Sequence, residues 1–176
     1  HIHTEYSLLD GAIRVNELVD FAAENDMPAI AITDHGVMYS AIEFYEYAEK
    51  KGVKPLVGCE FYVHDGDIHE KDQHHNPLYH LILIAKDTKG YMNLIKLVST
   101  AWCEGMYYKP RINWELIQKH HEGLICCSAC LGGEVLQELL KGDKQKAKEV
   151  AKQYKELFGD DFQFVVATHL NTDNVH

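Results

Sequence analysis

AIAITDHG, residues 29–36, joins a short apolar run to three residues that carry chemistry. Residues 29–33 have the small and β-branched side chains of a buried strand, and Asp34, His35 and Gly36 follow at once. Gly36 permits a tight turn that exposes the imidazole of His35. Asp34 is expected to fix this turn, to orient a neighbouring ligand, or to act with His35 as an acid or base.

The same arrangement of apolar run and polar residue recurs along the chain. His1 and His3 frame the first residues, Glu60 follows the run PLVGC, and His80 opens the run HLILIA. In a protein of alternating strands and helices, the residues just past the strand ends share one rim, where such folds build active sites. Histidines and carboxylates on one rim predict a metal site, and their number favours more than one ion.

Strand-like and helix-like segments alternate. Helical spacing of apolar residues covers 16–24, 38–50, 90–100, 132–141 and 144–158. The β-rich runs are 29–33, 55–63, 80–85, 123–129 and 162–168. Residues 64–77 form a polar loop with four histidines that we expect to be solvated, and 103–113 form an irregular aromatic segment. The alternation predicts an α/β fold with a largely parallel sheet or barrel, which the pattern does not separate.

Composition and charge bound the class of protein. The 176 residues, 46% hydrophobic and 25% charged, suit one globular domain or part of a larger protein. A net charge of −10 argues against a surface that coats nucleic acid generally. Neither a signal peptide nor an apolar run of membrane-spanning length is visible, so no membrane partner is expected. Five cysteines, several of them in apolar runs, indicate a reducing, cytoplasmic location.

Each candidate ligand also has a simpler interpretation. Period two places His1 and His3 on the same side of an extended segment, as for two ligands of one ion, but they could equally be exposed terminal histidines. Asp10 precedes a glycine and could be a turn residue or helix cap. Glu60 lies in an apolar run, where a carboxylate that bridges two cations avoids the cost of burial without a partner. Cys130 is a ligand, a small buried side chain, or half of a C-x-x-C redox motif with Cys127, which no second pair accompanies.

Basic and aromatic residues adjoin one another at 106–111. Lys109 and Arg111 follow two tyrosines, which suits contact with a phosphate and stacking on a base, and we predict that both bind substrate. The alternative is a surface loop whose tyrosines pack inward.

These motifs resemble a known family. The matching segments are HIHTEYSLLDGA, AITDHGVMYSAIEFYEYAEKKGVKPLVGCEFYV, HLILIAKDTKGYMNLIKLVS, YYKPRI and GLICCSACLGGE. Together they are similar to the PHP (polymerase and histidinol phosphatase) domain over residues 1 to about 162. LLDGA, TDHG and SACLGGE in this order resemble the polymerase branch of the family, the copy carried by bacterial DNA polymerase III alpha subunits, more than its small-molecule phosphatases.

The resemblance implies a distorted (β/α)7 barrel with up to three divalent metals at the C-terminal ends of its strands. By motif, His1, His3 and Glu60 would bind one metal. Glu60 would bridge to a second metal, held with His80 and Cys130. Asp10 and His35 would hold a third. Mixed nitrogen, oxygen and sulfur ligands allow Zn, Mn or Fe, and two to three ions are expected.

The family's last ligands lie in a final Asp-x-His motif, and the tail after about 162 departs from the family pattern. His176 ends the chain with Asn174, not aspartate, two residues before it. Asp173 is the substitute we predict, with His169 as an alternative. We expect residues 1–176 to be one PHP domain, a fragment of a larger polymerase chain.

What the resemblance implies for function is phosphodiester hydrolysis, in some members as a 3′→5′ proofreading exonuclease. The expected partners are DNA (a 3′ end or single strand), the remainder of the polymerase chain and replisome subunits. Two other functions stay open: an inactive, metal-stabilised structural domain of the polymerase, and a small-molecule phosphatase. Two metals a few ångströms apart suit phosphoryl chemistry independently of the resemblance.

Overall fold

The longest strand, β2 (Lys54–His64), organises the sheet. The structure is a computed structural model that describes residues 1–71 and 77–165. The first half of β2 pairs in parallel with β1 (Ala29–Ile32), and residues 58–64 pair antiparallel with β3 (Leu78–Ala85). The end of β2 also pairs in parallel with β5 (Lys109–Asn113). Strands therefore flank β2 on both sides over its second half, where Glu60 lies.

Three shorter strands complete a mixed, seven-stranded sheet that curls into an open half-barrel. β4 (Met106–Tyr107) is antiparallel to β5, β6 (Leu124–Cys127) is antiparallel to β3, and β7 (Phe162–Gln163) is parallel to β6. The α/β class is confirmed, but the expectation of a largely parallel sheet is wrong. The described residues between β2 and β3 hold no crossover helix, and a parallel pair would need one.

Helices cover the sheet. They are α1 (Val15–Glu24), α2 (Ala41–Lys51), α3 (Thr88–Cys103), α4 (Trp114–His120), α5 (Glu134–Leu140) and α6 (Lys144–Phe158), followed by a 3-10 turn at Gly159–Asp161. The five predicted helices are confirmed, α6 with the predicted ends and the other four with ends shifted by one to three residues. The sequence pattern does not predict α4, which is only seven residues long. This helix begins directly after the aromatic segment 103–113, and the side chain of Asn113 caps its first turn.

Apolar side chains form two buried clusters. The larger lies between β2, β3 and β6 and helices α3 to α6, and includes Phe61, Leu83 and Leu97. The smaller lies between β1, α1 and α2, and includes Ile32 and Phe44. Both leave the opposite face of the central strands free for polar residues, because side chains alternate along a strand.

The loop after β2 differs from expectation at its start. His64 is the last residue of β2 and only 3% exposed, so it is not a solvated loop residue, whereas His69 is exposed as predicted. His74 and His75 lie outside the described residues. Within residues 1–71 and 77–165, no helix has both the length and the apolar character of a membrane span.

Candidate metal centre

The carboxylate of Glu60 lies at the centre of a group of imidazoles. Its Oε2 atom is 2.5 Å from His1 Nε2, 2.6 Å from His3 Nε2 and 3.8 Å from His35 Nδ1. Its Oε1 atom is 2.5 Å from His80 Nδ1. Glu60 itself is fully buried, at 0% exposure. The strand ends thus bring together four histidines and one acid that are up to 79 positions apart in sequence.

The pairing of β1 with β2 continues into the Asp34-His35-Gly36 turn and fixes His35 beside Glu60. The backbone N–H of Glu60 donates to Asp34 O at 3.0 Å, and the N–H of Gly36 donates to Glu60 O at 2.8 Å. Gly36 has φ +64°, and a Cβ atom there would meet the ring of Pro110 at 2.6 Å. The tight turn predicted for this glycine is confirmed, since only a residue without Cβ fits it.

The first residues of the chain are hydrogen-bonded to Thr33, directly after β1. The N–H of Thr33 donates to Ile2 O at 2.9 Å, and the N–H of Ile2 donates to Thr33 Oγ1 at 2.8 Å. Because side chains alternate along an extended segment, His1 and His3 both face Glu60 while Ile2 packs against the smaller core.

His80 reaches the same rim because β3 runs antiparallel to β2. Its partner across the ladder is Tyr62, two residues beyond Glu60. The backbone N–H of His80 donates to Gly132 O at 2.9 Å, and a Cβ atom on Gly132 would lie 3.0 Å from the imidazole. Cys130 Sγ is 3.7 Å from His80 Nδ1 and accepts from the Gly132 N–H at 3.4 Å. The loop after β6 therefore delivers a thiol to the imidazole that opens β3.

Asp10 connects two of these histidines on the open side of the rim. Its Oδ2 atom is 2.7 Å from His3 Nδ1 and 2.8 Å from His35 Nε2. Two sets of three side chains have ligand atoms within 4.8 Å of one another: His1, Glu60 and Cys130, and His3, Asp10 and His35. The sequence-predicted ligands in the described residues thus lie side by side. Asp173, His176 and the alternative His169 lie outside the described residues.

Electrostatics keep the acids of the rim ionised. Burial would raise the pKa of Glu60, but the hydrogen bond with His3 and the close approach of the His80 imidazole outweigh burial and lower it to about 2. Hydrogen bonds from His3 and then His35 lower the pKa of Asp10. The hydrogen bond to Glu60 likewise raises the pKa of His3. Anionic carboxylates beside imidazoles are the form that binds cations.

The polar atoms of the rim fit cations better than they fit one another. Glu60 Oε1 has no hydrogen bond of acceptable geometry among the described residues, even though His80 Nδ1 is only 2.5 Å away. His35 Nδ1 is also buried without a hydrogen bond there. Buried polar atoms left in this state are costly. Lone pairs that converge without hydrogen bonds are what a bound divalent ion would satisfy, and His, carboxylate and thiol donors suit a transition metal.

Asp34 supports the rim from behind, without touching a ligand side chain. It is 1% exposed, and its carboxylate accepts hydrogen bonds from the Thr4 N–H at 2.6 Å, from Ser7 Oγ at 2.7 Å and from Ser40 Oγ at 2.8 Å. Ser7 Oγ in turn accepts from the backbone N–H of His35 at 3.1 Å. With its lone pairs committed to these donors, Asp34 is placed to position the backbone and not to transfer a proton.

The two predicted substrate-binding residues occupy different environments. Lys109 is exposed, with Nζ 5.0 Å from the centre of the Tyr62 ring. Arg111 is 2% exposed, and its guanidinium donates to the carbonyl oxygens of Gly105, Ile68 and Glu70. Arg111 therefore holds the loop after β2, and its donors do not face the rim.

Sequence reasoning missed several residues that shape the site. Tyr62 stacks on the His35 imidazole at a centroid distance of 5.9 Å and an angle of 15°. Trp102 Nε1 donates to Gly36 O at 2.8 Å and so fixes the same turn from α3. Period two along β2 would have placed Tyr62 on the Glu60 face, whereas nothing in the sequence signals Trp102.

A family model described as the PHP domain matches residues 1–169. The chain belongs to the PHP domain family. Its relatives include the DNA polymerase III subunit alpha of Treponema pallidum, 45% identical over 167 residues (94% of this chain and 14% of that protein). The same subunit of Deinococcus radiodurans is 44% identical over 178 residues (96% and 13%). The resemblance predicted from the motifs is thereby confirmed, and this PHP domain chain spans about one seventh of the length of these relatives.

Among solved structures, this PHP domain is similar to an amidohydrolase from Chromobacterium violaceum, determined with bound sulfate and no metal. The two are 25% identical, with a TM-score of 0.41, over 57% of this chain and 31% of that chain.

Proposed function

We propose that this PHP domain binds two to three divalent metal ions around Glu60 and hydrolyses phosphodiester bonds, with the 3′ end of single-stranded DNA as its substrate. The observation that carries the proposal is the fully buried Glu60 carboxylate, ringed at 2.5 to 3.8 Å by His1, His3, His35 and His80. Hydrogen bonds account for only part of this convergence: Glu60 Oε2 is hydrogen-bonded to His1 and His3, but Oε1 lacks a hydrogen bond among the described residues.

The ligands divide into sets that share Glu60. His1 and His3 lie on the Oε2 side of the carboxylate, and His80 lies on the Oε1 side with Cys130. Such a carboxylate would bridge two ions, and Asp10 with His35 would hold a third beside them. Paired divalent ions, when bound, supply an activated water and stabilise the charge on phosphoryl oxygens. The mixed donors suit Zn, Mn or Fe.

The other residues of the site bind and orient. Burial first, and then the negative charge of Glu60, raises the pKa of Tyr62 to about 12. The Tyr62 hydroxyl lies in the cleft beside the rim and, like any neutral phenol, can donate to a phosphate oxygen. Lys109 supplies a positive charge next to this hydroxyl, 3.5 Å from it. Asp34 positions Thr4 and Ser7 and takes no part in proton transfer. Of the two residues predicted as acid or base, we assign that role to His35.

The wider assignments rest on the family and the relatives. Residues 1–176 form one PHP domain of a DNA polymerase III alpha-type chain, with the sheet as part of a distorted (β/α)7 barrel whose metals lie at its rim. Asp173 and His176 complete the ligand set. The remainder of the polymerase chain, the replisome subunits and DNA are the partners, in the cytoplasm.

The test is metal content followed by hydrolysis. The purified, dialysed chain is analysed by plasma mass spectrometry, then supplied with Zn, Mn or Fe and a 5′-labelled single-stranded oligonucleotide. We expect roughly two to three equivalents of transition metal and products shortened from the 3′ end. Cys130→Ser should lower both, whereas Cys103→Ser, an exposed cysteine at the end of α3, should change neither.

Two outcomes would overturn the proposal in different ways. Bound metal without turnover of any phosphodiester would mean a metal-stabilised structural domain. Faster hydrolysis of a small phosphate monoester than of the oligonucleotide would mean a small-molecule phosphatase.

A further inference from the structure

An open cleft of about 640 Å³ adjoins the candidate metal centre. Its floor includes His35, Tyr62 and His80, the residues that face Glu60 or stack beside it. The volume falls within the range of about 300–1,000 Å³ for pockets that hold small ligands. A ligand in this cleft would therefore lie beside the candidate metal centre, in contact with the residues of its walls.

Four large side chains in the cleft walls are mostly exposed. Leu8 is 82% exposed and Leu9 fully exposed in the turn after the N-terminal segment, and both line the cleft. Tyr39, which precedes α2, is 66% exposed, and Tyr108, between β4 and β5, is 73% exposed. Contiguous exposed apolar side chains in a concavity mark a binding surface, because water solvates them poorly.

Backbone strain is found on two of these wall residues. Leu9 has φ +69° and Tyr108 has φ +58°, a region that side chains other than glycine and asparagine rarely adopt. Among the described residues only Asp26 and Ala129 share this feature outside glycine. Strained residues persist where the surrounding structure holds them, and they concentrate at ligand-binding sites. The chain thus holds a leucine and a tyrosine in strained, solvent-facing positions next to the metal centre.

Lys109 is the one lysine or arginine among the described residues that line the cleft. Lys109 follows Tyr108 directly, lines the cleft and lies with Nζ 5.0 Å from the centre of the Tyr62 ring. Asp10 and the Glu60 cluster supply negative charge that bound cations would neutralise. In a chain of net charge −10, a lysine beside aromatic walls favours an anionic ligand with a flat, apolar portion.

We propose that the cleft binds the unpaired base of a terminal nucleotide, with Leu9 and Tyr108 in contact with the base and Lys109 in contact with a backbone phosphate. This inference rests on the proposed function and gives it a specificity: the site selects single-stranded ends through the base and not only through the phosphodiester. An unpaired terminal base can turn away from the rest of the strand and enter the cleft, whereas a base within a duplex is held by its pairing partner and has both faces covered by stacked neighbours.

The test compares oligonucleotides that differ only in the terminal base. One short single strand ends at 3′ in 2-aminopurine and the other in an abasic nucleotide, each with a phosphorothioate at the last linkage to slow hydrolysis. Binding to the metal-loaded chain is followed by anisotropy of a 5′ dye, and stacking by quenching of 2-aminopurine fluorescence. Neither readout depends on turnover, so failure of hydrolysis and failure of base recognition are seen separately.

Stacking of one base on an aromatic ring predicts an effect of about 5- to 150-fold on the dissociation constant. Tyr108→Ala should weaken binding of the 2-aminopurine strand by that factor and abolish the quenching, while Tyr108→Phe retains both. Binding of the abasic strand should not change. Leu9→Ala should act in the same direction. Tyr45→Ala, which removes a half-exposed tyrosine of α2 outside the cleft, should have no effect.

Three results would overturn the inference. The first is equal binding of both strands by the wild-type chain, the second is equal weakening of both strands by Tyr108→Ala, and the third is unchanged binding in both Tyr108→Ala and Leu9→Ala. In the last case the apolar walls serve as a contact for another protein segment.

Discussion

The two faces of β2 are both buried, but by opposite means. On one face Cys59, Phe61 and Val63 pack into the larger apolar cluster under the helices. On the other face Glu60 is just as completely buried, among imidazoles, with Tyr62 beside it. Apolar packing needs only volume and shape, whereas the burial of a carboxylate needs partners for each oxygen.

Two buried or half-buried carboxylates show the same contrast. The imidazoles of the rim lower the pKa of Glu60 to about 2 against the effect of burial. On the helix side of the sheet, burial and then the charge of Asp65 raise the pKa of Glu134. The surroundings of Glu60 thus favour the ionised carboxylate, whereas those of Glu134 favour the protonated one.

The largest expected effect comes from removing the charge at the centre of the rim. Glu60→Gln keeps the shape of the side chain but can no longer bridge two cations, so the chain should lose most of its bound metal. Hydrolysis should fall by more than the roughly 10–100-fold that loss of an outer partner costs. Metal analysis and rate measurements on the same preparation test this.

Glu46→Gln is the control for that substitution, because it makes the same change at an exposed position of α2. If Glu60→Gln retains full metal content, the carboxylate does not bridge ions and the assignment of Glu60 is wrong.

On the packed face, Phe61→Ala should cost stability and leave the metal centre's chemistry intact. Phe61 is fully buried, and removal of such a ring destabilises by about 3–5 kcal/mol. Urea unfolding followed by circular dichroism measures the change, and metal per folded chain should stay as in the wild type. A loss of metal from the fraction that remains folded would mean that the two faces are coupled and that the comparison between them fails.

The contrast also explains what sequence could predict. Alternation along β2 and the acids and histidines at strand ends indicate which residues meet at the rim, because strand periodicity is a local property. The antiparallel course of β3 is not local: it depends on how the loop after His64 returns, and no spacing rule encodes it. The sequence predicts that His80, which begins its strand, lies on the rim. In the structure it does so because β3 runs antiparallel to β2.

The hydrogen bonds that support the rim from behind could not be predicted from the sequence either. The pattern allows three roles for Asp34: fixing the turn, orienting a neighbouring ligand, or acting as an acid or base. Its hydrogen bonds to Thr4, Ser7 and Ser40 favour the first two. Serine is usually exposed, so the sequence does not indicate that Ser7 and Ser40 are buried and hydrogen-bonded to Asp34. Similarly, Arg111 beside Lys109 looked like a second phosphate ligand, but its donors satisfy loop carbonyls that only the folded chain brings near.

Asp34→Asn tests this support without touching a predicted ligand. The amide replaces one acceptor oxygen by a donor that faces other donors, so the segments carrying His3 and His35 should loosen. We expect metal affinity to fall by about 10–100-fold, as for other outer partners. Competition with a chelator of known affinity measures it. Asp26→Asn, at an exposed position with φ +53° that asparagine tolerates, is the control.

A supporting role for Asp34 also predicts that added metal restores function. At saturating metal, Asp34→Asn should recover most of the wild-type rate, because the ligands themselves are intact. A rate that stays low with all sites filled would point instead to a direct part for Asp34 in proton transfer.

The smallest expected effect concerns Glu134, the carboxylate on the packed side. Burial raises its pKa in the folded chain, as do the charges of Asp65 and Glu138, while Lys146 opposes them. A raised folded pKa means that the favourable, protonated state is fully present below the unfolded pKa, and that stability is lost as pH rises through the folded pKa. Glu134→Gln removes this loss, so the variant should be more stable than the wild type at pH 8.

Glu134→Gln should raise the unfolding temperature at pH 8 by about 2 °C, since a change of 1 kcal/mol shifts the unfolding temperature of a domain of this length by about 2–4 °C. The difference between variant and wild type should shrink as pH falls towards 4, where Glu134 is protonated and resembles glutamine. Glu46→Gln should show no such dependence. A difference that grows at low pH would mean that the Glu134 anion is stabilised, as Glu60 is, and that the packed side of the sheet tolerates charge as well as the rim does.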